Sequence, residues 1–155
     1  MPGRDGGGQQ VDGPDEAHRR PAGVSDATVE ALGKLSEALE TVERARGHLY
    51  SLHQLIGHAD LMLDDAVALF RSAGHQDLAD RIDRDLIGRN VIAGRWTFQI
   101  VEDFDDGYYA LFRELDRRAR DDLVGGRRHL YEAEMKERRR SPGRPGHEAR
   151  PGADG

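Results

Sequence analysis

The fold is decided by residues 26–56, which read DATVEALGKLSEALETVERARGHLYSLHQLI. Apolar side chains recur here at alternating three- and four-residue steps, a spacing that places them on one stripe of an α-helix and defines a coiled-coil seam. Ser25 or Asp26 can accept hydrogen bonds from the free N–H groups at the start of such a helix. We therefore predict one long first helix over 26–56. Its seam positions are Leu32, Leu35, Leu39, Val42, Arg46, Leu49, His53 and Ile56.

Two positions of this seam, Arg46 and His53, are polar. Polar residues in a helical seam cost stability but fix the register or the partner. We expect them to meet acidic or backbone groups on a facing helix, and Glu102 and Asp106 are the acids we predict for that role. The sequence leaves open whether the seam is an intramolecular core or a dimer interface.

Glycines divide the rest of the central region into further helices. Gly57 is expected to make a turn, Gly74 to act as a left-handed C-cap, and Gly125 with Gly126 to end a later helix. Around residues 95–104 alternation typical of a strand competes with helical spacing, and length favours a helix. The predicted helices after the first are 59–73, 76–88, 90–123 and 127–139.

The two ends of the chain differ in composition from its middle. All six prolines and twelve of the 19 glycines precede residue 24 or follow residue 124. Both ends are also poor in large apolar residues, so they bury too little surface to offset the entropy of ordering. We predict disordered tails over 1–23 and 141–155 and a helical domain over 24–140. The fold class is all-α: an up-and-down helical bundle or an elongated helical hairpin with a long first helix and disordered termini.

Charge and cysteine content narrow the functional classes. The net charge is −6, with the acidic excess in the middle and the basic excess in the C-terminal tail. The chain has no cysteine, which excludes disulfides, cysteine-ligated zinc and a thiol nucleophile. No apolar run is long enough for a membrane span, so a cytoplasmic protein is expected. The excess of arginine over lysine, 21 to 2, suggests a GC-rich bacterial genome.

A metal site is one alternative function. Imidazole and carboxylate groups bind transition metals, and the candidate ligands are His48, His53, Glu102 and Asp106. A five-residue step turns a helical side chain by about 140°, and the ten residues from His48 to His58 span about 15 Å of helix. His48, His53 and His58 therefore do not meet at one ion unless the chain folds back at Gly57. A calcium loop aligned on Gly107 fails at two ligand positions.

Aromatic residues are densest between 96 and 112. Their helical spacing favours a place in the core. If a cofactor binds, however, we place it against Trp96, Tyr108 and Tyr109, because the hydroxyl groups can orient a ligand on an aromatic wall. The nature of such a cofactor is unknown from the sequence.

Nucleic-acid binding would depend on the arginines of the tail. Residues 24–125 carry a net −8, from 12 basic and 20 acidic side chains, and repel phosphate. This leaves Arg138, Arg139, Arg140, Arg144 and Arg150. Nucleic acid is therefore an unlikely partner. No phosphate-binding glycine loop and no nucleophile elbow is present. The leading interpretation is a non-enzymatic helical interaction module that binds a second copy or another helical protein. A metal- or cofactor-binding bundle is the alternative, and a weak nucleic-acid binder that acts through the arginine-rich tail is the second alternative.

Overall fold

The computed structural model describes residues 11–150 and residue 152. The fold is all-α, as predicted, with a long first helix and no β-strand among the described residues. A 3-10 turn, Glu16–His18, precedes the α-helices, and a π-helical turn, Asp105–Tyr109, links two of them. The α-helices are α1 (Asp26–Ser72), α2 (Gln76–Asp85), α3 (Thr97–Phe104), α4 (Ala110–Val124) and α5 (Leu130–Arg139).

Helix α1 is longer than the sequence indicated. Ser25 caps its start, since the Ser25 hydroxyl accepts from the Thr28 N–H at 3.1 Å. The predicted turn at Gly57 is wrong: the helix continues through this residue to Ser72. An interior glycine costs a helix only about 1 kcal/mol, which the apolar residues on both sides of Gly57 can offset.

The C-terminus of α1 confirms the predicted glycine cap. Gly74 has a φ of +89°, and the His75 N–H donates to the Phe70 carbonyl at 2.9 Å. This left-handed residue satisfies carbonyls that the helix end leaves without partners. Helix α2 follows directly, and the turn after it is tied back to α1, because the Gly88 N–H donates to the Asp60 carboxylate at 2.9 Å.

The helix predicted from residue 90 begins only at Thr97. Gly94 has a φ of +74°, and the Arg95 N–H closes a tight turn on the Ile92 carbonyl at 3.0 Å. A left-handed residue stops helix propagation from upstream. The Trp96 N–H then donates to the Gln99 side chain at 3.0 Å, which caps the new helix. The preference for helix over strand is confirmed from Thr97 onward.

Gly125 and Gly126 end α4, as predicted, with φ values of +63° and +76°. The following helix begins at Leu130 rather than at residue 127, because His129 adopts a left-handed φ of +56°. A left-handed residue cannot belong to the right-handed helix that follows it.

The chain divides into two compact units. Unit 1 combines residues up to 37 with those from 115 onward, and its core consists of Val29, Leu32, Val124 and Leu130. Asp116 is buried in this unit, where it accepts from Ser36 at 2.9 Å and pairs with Arg120 at 3.0 Å. A buried carboxylate requires such partners.

Unit 2 covers residues 38–114. Its buried apolar side chains among the described residues are small or medium in size, namely Val67, Ala79 and Val101. Most of its larger apolar side chains are instead exposed to solvent. Large exposed apolar surface is unusual for a monomer, so unit 2 is the candidate region for an interaction surface.

The described parts of the predicted tails make contacts within unit 1. The Arg20 guanidinium donates two hydrogen bonds of 2.9 Å to the Glu134 carboxylate, and Arg140 pairs with Asp12 at 3.0 Å. Arg150 donates to the Gly13 carbonyl at 2.8 Å. The disorder of the tails stays a prediction. Within the described part of the chain, every helix is either too short or too polar to span a bilayer.

The continuity of α1 predicts opposite effects for two glycine-to-alanine changes. Gly57→Ala should raise the free energy of unfolding by about 0.5–1 kcal/mol, because the added methyl meets no atom within 4 Å and alanine favours the helix. Gly74→Ala should lower it by about 1–2 kcal/mol, because alanine resists a positive φ. Urea denaturation measures both, and a destabilising Gly57→Ala would contradict a continuous helix.

Candidate interaction surface

The predicted seam of α1 is mostly shielded from solvent. Leu32 is buried, and Leu35, Leu39, Val42 and Leu49 are half-buried. Ile56, the last seam position, is exposed. The seam is therefore a packed face of the helix over most of its length.

Arg46, the first polar seam position, is bound within the chain. Its guanidinium donates to both carboxylate oxygens of Asp105, at 2.6 and 2.8 Å, and its Cζ lies 4.8 Å from the ring centre of Tyr50 and 5.1 Å from that of Tyr109. These hydrogen bonds lower the pKa of Asp105 and raise the pKa of Arg46. An acidic partner was expected, but the acid is Asp105 rather than Glu102 or Asp106.

His53, the second polar seam position, also has a partner. Its Nδ1 lies 2.7 Å from the Thr97 hydroxyl, and further along the seam the Tyr109 hydroxyl donates to Glu43 at 3.2 Å. Along α1 the contacting residues follow the order Glu43, Arg46, His53. Their partners follow the reverse order of the chain: Tyr109, Asp105, Thr97. In unit 2, α1 therefore packs antiparallel against α3 and the π turn, and this stretch of the seam is covered by the chain itself.

The four residues predicted as metal ligands lie in different settings. His53 is engaged with Thr97, whereas His48, Glu102 and Asp106 are exposed. Over residues 11–150, no three histidine or acidic side chains gather in a way that could hold a metal ion. The structure does not assemble the predicted site.

The aromatic stretch is only partly a core. Trp96 is 55% exposed and Tyr108 59% exposed, so the expectation of a core is wrong for these two residues. Trp96 packs edge-on against Phe98, with ring centres 5.1 Å apart. Tyr109 is half-buried and stacks on Phe104 at 6.1 Å. The three residues predicted to bind a cofactor thus do not share one enclosed wall.

A second apolar stripe lies on α1, in unit 2. Its large side chains are open to solvent, with Leu55 66% and Leu69 71% exposed. The steps between its members are three, four, three, four and three residues, which is the heptad pattern of a helix that pairs with another helix. At 100° per residue it lies about 100° around the helix from the seam, because Leu52 directly precedes His53 and Leu55 directly precedes Ile56. This exposed stripe consists of Leu52, Leu55, Ala59, Met62, Ala66 and Leu69.

Comparison with known protein families, curated proteins and solved structures finds no match. The exposed stripe has therefore to be interpreted from its own geometry. The sequence alone does not reveal the stripe, because a turn predicted at Gly57 divides it between two helices. The signal that could have revealed it is the unbroken spacing from Leu52 to Leu69.

The basic C-terminal residues differ in how free their side chains are. Arg138, Arg139 and Arg144 are exposed. The side chain of Arg140 is only 1% exposed and is held by Asp12 and Glu137. Arg150 donates to the backbone carbonyls of the N-terminal segment. Two of the five arginines predicted to contact nucleic acid are thus used within unit 1.

The Arg46–Asp105 pair predicts acid sensitivity. Because the pKa of Asp105 is lowered in the folded state, its contribution to stability is present above pH 3.8 and is lost as the pH falls through the folded value. Asp105→Asn should therefore be less stable than the parent at pH 7, and the difference should shrink below pH 3.8. Thermal unfolding followed by circular dichroism across pH 2–7 measures this difference.

Asp106→Asn is the matched control, because Asp106 is exposed and Arg46 donates its hydrogen bonds to the neighbouring Asp105 instead. It should change stability little at either pH. If Asp106→Asn destabilised the fold as much as Asp105→Asn, the assignment of the pair to Asp105 would be refuted.

Proposed function

We propose that this chain is a non-enzymatic helical interaction module that self-associates through the exposed stripe of α1. The observation that supports it is the stripe itself: successive heptad positions, all apolar, on a helix in a chain of which 34% of residues are charged. Heptad spacing suits packing against another helix, where each side chain fits between four side chains of the partner.

The proposal moves the interaction surface away from the predicted seam. Arg46 and His53, which were expected to specify a partner, already bind Asp105 and Thr97. Opening these contacts to admit a second chain would leave polar groups without partners, at about 1–3 kcal/mol for each one that stays buried. The exposed stripe needs no such opening.

The energetics favour a reversible assembly. Full burial of a leucine or methionine side chain contributes about 1.5–3 kcal/mol, and each copy offers four of them at the stripe, namely Leu52, Leu55, Met62 and Leu69. Association costs on the order of 4–15 kcal/mol in lost freedom of motion. These side chains are only 43–71% exposed before association, so the eight of a dimer contribute roughly 7–14 kcal/mol. This gain is similar in size to the cost, so every large side chain of the stripe should matter for assembly.

The proposal includes a cytoplasmic location, which the cysteine-free composition supports. A bacterial origin is supported by the excess of arginine over lysine. Neither is needed for self-association.

A charge placed in the stripe should dissociate the assembly. We expect Leu69→Glu to weaken self-association at least tenfold, because each copy loses the burial of one leucine, about 1.5–3 kcal/mol. Size-exclusion chromatography with light scattering, over a dilution series, measures the mass. Circular dichroism verifies that α1 stays folded.

Leu61→Glu is the matched control. Leu61 lies on the same helix and is 70% exposed, almost the same as Leu69, but it lies outside the stripe. Its replacement should leave the mass unchanged. A monomeric parent protein would refute the proposal, and so would equal effects of the two variants. Native mass spectrometry of the parent would reveal a stoichiometric added mass if a metal or cofactor were bound instead.

A further inference from the structure

Two copies of the exposed stripe can pack against each other in parallel or antiparallel. We propose that the partner is the same stripe of a second copy, packed antiparallel about a two-fold axis between Asp60 and Leu61; this rests on the proposed function. In this register Leu52 packs against Leu69 of the second copy. The inner layers pair Leu55 with Ala66 and Ala59 with Met62, each twice.

The first argument is the size of the side chains. In heptad terms, one line of the stripe carries Leu52, Ala59 and Ala66, and the other carries Leu55, Met62 and Leu69. A parallel pair places each line against itself, so alanine would face alanine next to layers in which two large side chains meet. An antiparallel pair places one line against the other. In the inner layers a large side chain then faces an alanine, which fills the space between the helices evenly.

The second argument is the chemistry of the two flanks of the stripe. One flank carries His58 and Asp65, both exposed, and the other carries Ile56, Leu63 and Phe70. In an antiparallel pair each flank meets its own counterpart. His58 then faces Asp65 of the second copy, twice by symmetry, and the imidazole can donate to the carboxylate. The apolar flanks likewise meet each other, with Ile56 opposite Leu63.

A parallel pair would mix the two flanks. His58 would face Leu63 of the second copy and Asp65 would face Phe70, so that a carboxylate would lose water to an aromatic ring without gaining a partner. The segregation of polar and apolar flanks therefore selects the antiparallel arrangement independently of side-chain size.

Single-cysteine variants can test the orientation directly, because the chain has no cysteine of its own. In the antiparallel register, position 55 lies opposite position 66, and two copies of position 55 lie 11 residues apart, or about 16 Å at 1.5 Å per residue. A disulfide needs Cα atoms within about 7 Å. Mild oxidation of L55C mixed with A66C should therefore give a cross-linked heterodimer, whereas neither variant alone should cross-link.

The outcomes separate this inference from the proposed function. Cross-linking of L55C with itself would show a parallel pair and overturn the inference. A reduced protein that is dimeric by light scattering but gives no L55C–A66C product would also overturn it, while self-association stands. Reduced variants and parent that are all monomeric would instead refute the proposed function.

A charge exchange provides a second test of the same register. H58D should weaken association about two- to tenfold, because two aspartates then face each other in each of two places. The double variant H58D/D65H restores an imidazole opposite each carboxylate only if the two positions face each other. Recovery of the parent dissociation constant in H58D/D65H is expected, and a double variant weaker than H58D would overturn the register.

Discussion

Helix α1 depends on an unbroken ladder of backbone hydrogen bonds from Asp26 to Ser72. The ladder fixes 3.6 residues per turn through Gly47 and Gly57, the two residues that could most easily have interrupted it. Because the rotation per residue is constant, two heptad patterns in different registers must fall on two different sides of the same helix. One is the seam and the other is the exposed stripe. A break at Gly57 would have removed this geometric relation.

The two sides of α1 differ in how they achieve specificity. In unit 2 the seam uses polar contacts. The two hydrogen bonds from Arg46 to Asp105 and the contact of His53 with Thr97 fix one alignment of α3 on α1. The π turn contributes to this alignment. Asp105 and Tyr109 are its first and last residues, four positions apart, and both reach α1, where they contact Arg46 and Glu43. The exposed stripe has no polar residue at its six positions, and polar groups border it on one flank only.

The sequence predicted those features that depend on a few neighbouring residues. They include the helix start, for which the sequence offers Ser25 or Asp26 and the structure uses Ser25, and the left-handed residue at Gly74. Each depends on the side chain at one backbone position. Errors arose where packing between residues distant in the sequence determined the structure. Gly57 is helical because the flanking apolar residues outweigh its weak intrinsic preference. Asp105 rather than Asp106 binds Arg46 because Asp105, four residues after the buried Val101 and eight after Thr97, lies on the face of α3 that contacts α1. The exposure of Trp96 and Tyr108 could not be predicted either, because helical spacing does not say whether another element covers a face.

The distribution of charge on α1 bears on how two copies of the exposed stripe can associate. Over residues 52–69 this helix carries Asp60, Asp64 and Asp65. Asp60 is turned toward the loop after α2 and bound to the Gly88 N–H, and only Asp65 borders the stripe. Two copies of an acidic protein repel each other at long range, so association requires a surface where like charges are kept apart and short-range burial outweighs the repulsion. With Asp65 opposite His58 and the remaining acids outside the contact, the antiparallel register satisfies both conditions. A parallel register would place both copies of Asp65 at the same level of the pair, facing apolar rings.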